Sequence, residues 1–215
     1  MEITWYGHSC FRISERGMAS VVTDPYNSEE VGYDPLKLKA EIVTVSCDQP
    51  GHNNLKVVNR NAMPIMGPGE YETGGVFITG VQTNGNKKKE EEQHNTLYVI
   101  DYGSITVAHL GEINRVPSQA EIEALGTVNI ALVPVGDYSS LNASKAAEVV
   151  SLLEPNIVIP MHYAVPGARM KLDPLAKFLK EMGLTQLETM ESFKVANVST
   201  LPEETRVIVL DVRTS

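Results

Sequence analysis

The chain has 215 residues, 42% hydrophobic and 21% charged, which is ordinary for a globular protein and long enough to bury a core without staples. Its formal net charge of -9 argues against nucleic-acid binding, which needs a basic face against the phosphate backbone. Two cysteines, Cys10 and Cys47, are too few for a disulfide framework, and no apolar run approaches the roughly 20 residues that span a bilayer.

The chain opens on a strand-like run, Glu2-Ile3-Thr4-Trp5-Tyr6, with no basic segment leading into an apolar one. No signal peptide is therefore expected, and the expected compartment is the cytoplasm. Ile3 to Tyr6, Phe11 to Ile13 and Ser20 to Thr23 read as short strands separated by Gly7 and Gly17. Ile42 to Ser46 is a nearly continuous apolar run, as in a strand buried on both faces. Pro64 to Gly67 leads into a turn at Gly67-Pro68-Gly69. Strands are expected at Val76 to Val81, Thr96 to Asp101 and Ile105 to His109. The run Lys87-Lys88-Lys89-Glu90-Glu91-Glu92 between the first two reads as a solvated loop.

The second half alternates helix and strand. Ser118 and Glu121 form a capping box for a helix to Leu125, closed by Gly126. A strand from Val128 to Val135 is followed by a helix over Ala143 to Glu154, capped by Asn142 and apolar at Ala146, Val149, Val150 and Leu153. Ile157 to Pro160 is a strand, Pro174 to Met182 a helix, and Arg206 to Asp211 the last strand. No linker-like stretch interrupts this order, so one α/β domain over residues 1–215 is expected, with helices outside the sheets.

Four of the five histidines share one context. His8 and His52 lie a few residues past strand ends, and His109 and His162 lie at them. Loops after strand ends are where layered α/β folds build sites, and neutral imidazole is a good ligand for zinc, iron or nickel. Any one of these histidines alone would more ordinarily be a hydrogen-bonded core or rim residue. Asp24 and Glu112 stand in the same places, as carboxylates that ligate a metal or orient its ligands do.

Seven fragments occur in a telling order: Gly7-His8-Ser9-Cys10-Phe11, Asp24-Pro25-Tyr26, Pro68-Gly69-Glu70-Tyr71-Glu72, Asn95-Thr96, Ala108-His109-Leu110-Gly111, Val133-Pro134-Val135-Gly136 and Ile159-Pro160-Met161-His162-Tyr163. Together they resemble the metallo-β-lactamase superfamily, in its branch of small Zn-dependent hydrolases akin to ascorbate-6-phosphate lactonases. The resemblance implies a four-layer αβ/βα sandwich of two mixed sheets with a metal-dependent hydrolytic site at one edge. The family's His-x-His-x-Asp-His motif is here Cys47-Asp48-Gln49-Pro50-Gly51-His52, so only its last histidine remains.

By that resemblance one metal position would fall to Cys47, Gln49 and His109, an unexpected donor set. The other keeps His52, Glu112 and His162, with Gly51 where the family has the carboxylate that orients water. The expected metal ligands are thus His52, His109, Glu112 and His162. His8, Asp24 and Gln49 are supporting pocket residues, and Cys47 and Asp48 stand as catalytic candidates. Zinc or another divalent transition metal is the expected cofactor. Three states stay open: a one-metal hydrolase of a small ester, lactone or phosphoester; a metal-free relative that binds a ligand or protein; and an enzyme using the Cys47 thiolate. A small-molecule substrate is the expected partner, nucleic acid and membrane are not, and a homo-oligomer is compatible with the exposed loops of such folds. His94, Arg115 and Arg169 are expected as loop or surface residues.

Overall fold

The computed structural model describes residues 1–84, 94–185 and 187–214. The Lys-Glu run lies outside the described residues. The first half forms β1 (Glu2–Trp5), β2 (Phe11–Ser14), β3 (Val21–Thr23), α1 (Ser28–Val31), β4 (Ile42–Thr44), β5 (Met63–Ile65), β6 (Gly69–Thr73), β7 (Val76–Asn84), β8 (His94–Asp101) and β9 (Thr106–His109). The second forms α2 (Gln119–Leu125), β10 (Ile130–Pro134), α3 (Ala143–Leu153), β11 (Ile157–Met161), α4 (Leu175–Glu181), β12 (Glu188–Met190), β13 (Phe193–Lys194) and β14 (Arg206–Leu210). No described helix is long and apolar enough to cross a membrane.

The strands form two mixed sheets. One has six strands in the order β13-β1-β2-β3-β4-β5, the other eight in the order β12-β14-β11-β10-β9-β8-β7-β6. The two-residue period of a strand explains how the first sheet serves two cores. Ile3, Trp5, Phe11, Ile13, Val21 and Ile42 belong to the large core between the sheets. Val22 and Val43, one residue on, join Tyr26, Val31, Leu36 and Val58 in a smaller core on the outer face. The second sheet carries its cover in α2, α3 and α4, whose Leu125, Ala146, Val149, Val150, Phe178 and Leu179 extend the large core. The architecture is the expected α/β sandwich.

Two tyrosines of the second sheet pin the first. The Tyr98 hydroxyl reaches Val45 O at 3.0 Å and Ile65 O at 3.2 Å, and the Tyr102 hydroxyl reaches Ala19 O at 3.1 Å and Ile13 O at 3.2 Å. Each buried bond contributes about 1 kcal/mol and fixes how the sheets register.

Helix boundaries follow the expected chemistry. Ser118 closes a complete capping box with Glu121, and Asn142 caps α3 through Lys145 N. Pro174 stands at the N-cap of α4 rather than inside it, because its backbone is extended, with φ -71° and ψ 147°. The structure adds α1, β6, β12 and β13. Of these, β6 is largely exposed at the sheet edge and carries Glu70 and Glu72, so it shows no apolar run.

Strand direction gathers the site. β1 and β3 both run antiparallel to β2, and β4 runs parallel to β3, so these strands share one C-terminal edge. β9, β10 and β11 are mutually parallel and share another. The two edges meet through the backbone, where His162 N donates to His8 O at 3.2 Å.

Candidate metal centre

The loops leaving those strand ends are tightly specified. His8, Asp24 and His162 are non-glycine residues with φ of 51°, 39° and 54°. Left-handed backbone is uncommon in such residues, persists only where surrounding contacts hold it, and clusters at functional sites. At His8 those contacts are the bonds its carbonyl accepts from His162 N and from Trp5 Nε1. Gly111 has φ +59°, and a Cβ there would stand 2.3 Å from Asn95 Oδ1 and 2.4 Å from Ser46 Cβ. That close approach lets Asn95 Oδ1 accept from Glu112 N at 2.8 Å and fixes where the glutamate emerges.

The side chains converge from both sheets. His8 Nε2 is 3.2 Å from His52 Nε2, and the His8 and His162 rings are 4.3 Å apart between centroids. Glu112 bridges: Oε2 is 3.7 Å from His52 Nε2, and Oε1 is 3.7 Å from His162 Nε2. Cys47 Sγ lies 3.6 Å from Glu112 Oε2. Ligand atoms of His8, His52 and His162 fall within 4.8 Å of one another, as do those of Cys47, His52 and Glu112. All five residues are buried.

A second ring of contacts orients this cluster. Asp24, fully buried, accepts from Ser46 N at 2.7 Å, from Ser46 Oγ at 2.5 Å and from His52 Nδ1 at 2.8 Å. With its proton on Nδ1, His52 turns Nε2 into the cluster, the carboxylate–histidine arrangement that supports bound metals. Ser140 Oγ is 3.2 Å from His162 Nδ1 and turns the Nε2 of that ring inward in the same way. The Ser139 hydroxyl donates to Glu112 Oε1.

The charges are strongly coupled. Burial works to raise the Asp24 and Glu112 carboxyls, but their histidine neighbours outweigh it; Asp24 ends below its ordinary value and Glu112 well below the carboxylate range. Burial works to lower His52, yet Cys47 and Asp24 carry it well above its ordinary value. His8 goes well below, through burial and then the neighbouring His162 and His52. Burial pushes the Cys47 thiol up, whereas a nucleophilic thiolate needs a lowered value.

The donors fall into two groups that could each hold a small divalent ion, His8-His52-His162 and Cys47-His52-Glu112, with His52 common to both. Ligands about 2.0–2.1 Å from a tetrahedral zinc-sized ion stand about 3.3 Å from each other. The nitrogen pair at 3.2 Å and the two nitrogen–oxygen pairs at 3.7 Å are close to that spacing. His162 Nε2 is buried and has no hydrogen-bond partner among the described residues, as a nitrogen that keeps its lone pair for an ion would be.

Several expectations are redistributed. His52, Glu112 and His162 come together, and Asp24 lies behind them, bonded to His52 Nδ1. His109 does not join them. Its Nε2 meets Ser9 O at 2.9 Å and its Nδ1 accepts from Gly111 N at 3.3 Å, so both ring nitrogens are committed to holding loops. Gln49 and Asp48 are exposed, and Asp48 accepts from Asn53 Nδ2 at 2.7 Å. Arg115 is paired with Glu121, Arg169 donates to Glu29 O, and His94 begins β8 beside Gln82. His8, expected as a supporting residue, sits inside the cluster. Ser139 and Ser140 were not singled out, although they follow a parallel strand end as His162 does.

The β-lactamase superfamily domain matches residues 2–162. A UPF0173 protein of Pyrococcus furiosus is 28% identical, covering 85% of this chain and 90% of the relative. A UPF0173 metal-dependent hydrolase of Archaeoglobus fulgidus is 25% identical, covering 86% and 93%. The solved structure of a metallo-β-lactamase superfamily protein from Thermotoga maritima superposes with a TM-score of 0.79 at 31% identity, covering 97% of both chains. With this extent of match in sequence and in fold, the chain belongs to the metallo-β-lactamase superfamily and has UPF0173 metal-dependent hydrolases among its relatives.

Proposed function

We propose that the chain is a hydrolase with a single divalent-metal site, held by His52, Glu112 and His162, acting on a small ester, lactone or phosphoester. The observation that carries this reading is the buried Nε2 of His162, which has no hydrogen-bond partner among the described residues and faces Glu112 Oε1 at 3.7 Å across a cluster of donors near metal-ligand spacing. A bound ion would lower the pKa of its water toward about 7 and polarise the scissile carbonyl or phosphoryl group. The chain's own residues do the rest. Asp24 and Ser140 hold the two imidazoles with Nε2 inward. Gly51 offers no carboxylate to orient water, so, among the described residues, Glu112 would be the one carboxylate of the cluster beside a bound ion.

A second reading is a metal-binding module without turnover. It is favoured by the closure of the cluster: His162 is 0% and Glu112 7% exposed, and a substrate has to reach the ion. One experiment separates them. The full chain, purified without chelator, is assayed for bound metal, stripped, and reloaded with zinc, manganese or ferrous iron while hydrolysis of aryl esters, lactones and aryl phosphodiesters is followed. About one ion per chain with chelator-sensitive hydrolysis supports the enzyme. One ion without hydrolysis favours the module, and absence of stoichiometric metal under every condition overturns both.

A further inference from the structure

We infer that His8 is a fourth ligand of this site, admitted by the missing side chain at position 51. The inference rests on the metal reading above and goes beyond it, because the family motif places ligands at positions 47 to 52 and none at position 8.

The argument begins with space. A Cβ on residue 51 would stand 2.8 Å from His8 Nε2 and 3.4 Å from His8 Cδ2. Real Cβ contacts do not come so close, so a side chain at 51 and the present position of the His8 ring exclude one another. The ring occupies the room that a carboxylate at 51 would need. Gly51 is therefore an exchange of one donor for another, and the same edge of the cluster is served from β1 instead of from the loop after β4.

The backbone commits the ring to that position. His8 has φ 51° and follows Gly7 at φ +97°, where a Cβ would stand 2.9 Å from Tyr33 Cδ2. The His8 carbonyl is bonded to Trp5 Nε1 at 3.0 Å and to His162 N at 3.2 Å, so the loop cannot turn outward without breaking both. Chemistry then sets the role. Two imidazole Nε2 atoms 3.2 Å apart either form an N–H···N hydrogen bond or, with both lone pairs free, hold a metal between them. A buried histidine serving only as core would instead hydrogen-bond through its ring to a carbonyl, as His109 does with Ser9 O. His8 Nδ1 has no such partner among the described residues. Lacking the support that Asp24 gives His52, His8 is the weaker ligand of the two.

The test is a double-mutant cycle on cobalt and zinc binding by the full chain, read by competition with a chromophoric chelator and by the visible cobalt spectrum. In the Gly51 background, His8→Ala is expected to weaken binding on the order of 100-fold and to reduce the intense visible bands of four-coordinate cobalt. In the Gly51→Asp background the new carboxylate takes over that edge, and adding His8→Ala is expected to change affinity by less than about threefold. If His8→Ala fails to fold, Gly51→Ala tests the same point: its Cβ displaces the ring and should weaken cobalt binding and alter the spectrum. Parental affinity and spectrum in His8→Ala, or in Gly51→Ala if that is the variant measured, would overturn the His8 assignment while His162→Ala still abolished binding. A parent that binds no metal overturns the proposed function and this inference together. A His162→Ala variant that binds like the parent overturns the ligand set alone.

Discussion

Replacing Asp24 with asparagine tests the organisation of the whole site through one oxygen. Asp24 is fully buried and accepts three hydrogen bonds, two from Ser46 and one from His52 Nδ1 at 2.8 Å. An amide of the same shape can still accept from Ser46 N, but it presents N–H where His52 now donates. The charge-assisted bond to His52 is lost, at about 1.5–3 kcal/mol, and a buried donor is left without a partner, at about 1–3 kcal/mol. Their sum agrees with the roughly 3–5 kcal/mol for breaking a buried charged pair. In a chain of this length each kcal/mol moves Tm by about 2–4 °C, so Asp24→Asn should melt roughly 10 °C lower. Because His52 also loses its orientation, zinc affinity should fall about 10- to 100-fold. Urea unfolding followed by circular dichroism in chelator gives the first number, and a zinc competition titration gives the second. A loss below about 1 kcal/mol together with unchanged zinc affinity would refute the reasoning, since Asp24 would then be only a buried polar residue.

Three further outcomes follow from the same contacts. Gly111→Ala places a Cβ at 2.3 Å from Asn95 Oδ1 in a left-handed residue, and should cost more than about 2 kcal/mol in urea unfolding and weaken zinc binding by shifting Glu112. Glu121 is held at about 2, first by its bond to Arg115, against an ordinary value of 4.5. A depressed carboxyl stabilises the fold fully above its unfolded value and loses that contribution as pH falls from about 4.5 through about 2; after discounting for solvent screening this is about 1 kcal/mol, absent in Glu121→Gln over a pH series of melts. Cys10 and Cys47 are buried with thiols pushed up, so a thiol reagent at neutral pH should label neither in the native chain and both in urea.

The sandwich was legible because its strands are either apolar throughout or strictly alternating, as Val21-Val22 and Ile42-Val43 are between two cores. The edges were not, since β6 faces solvent with glutamates and β13 is two residues long. In the site, His52, Glu112 and His162 could be placed from strand ends and the resemblance. His109 carried the same signal, and only its two ring contacts, with Ser9 O and Gly111 N, set it apart. His8 could be read only as a supporting residue because nothing in sequence links positions 8 and 51. Their relation is one of volume, visible only when the first loop folds over the fourth strand's exit.

The bond from His162 N to His8 O joins loops that belong to different sheets, and every donor in the cluster stands on one side or the other of that seam. His8, Cys47 and His52 come with the first sheet, Glu112 and His162 with the second. An ion bound there would act as a rivet between the layers, so its binding energy is also docking energy. The centre can exist only after the layers have met. Loosening of the seam should release metal while both sheets keep their strands, which makes metal retention a more sensitive gauge of this interface than secondary structure.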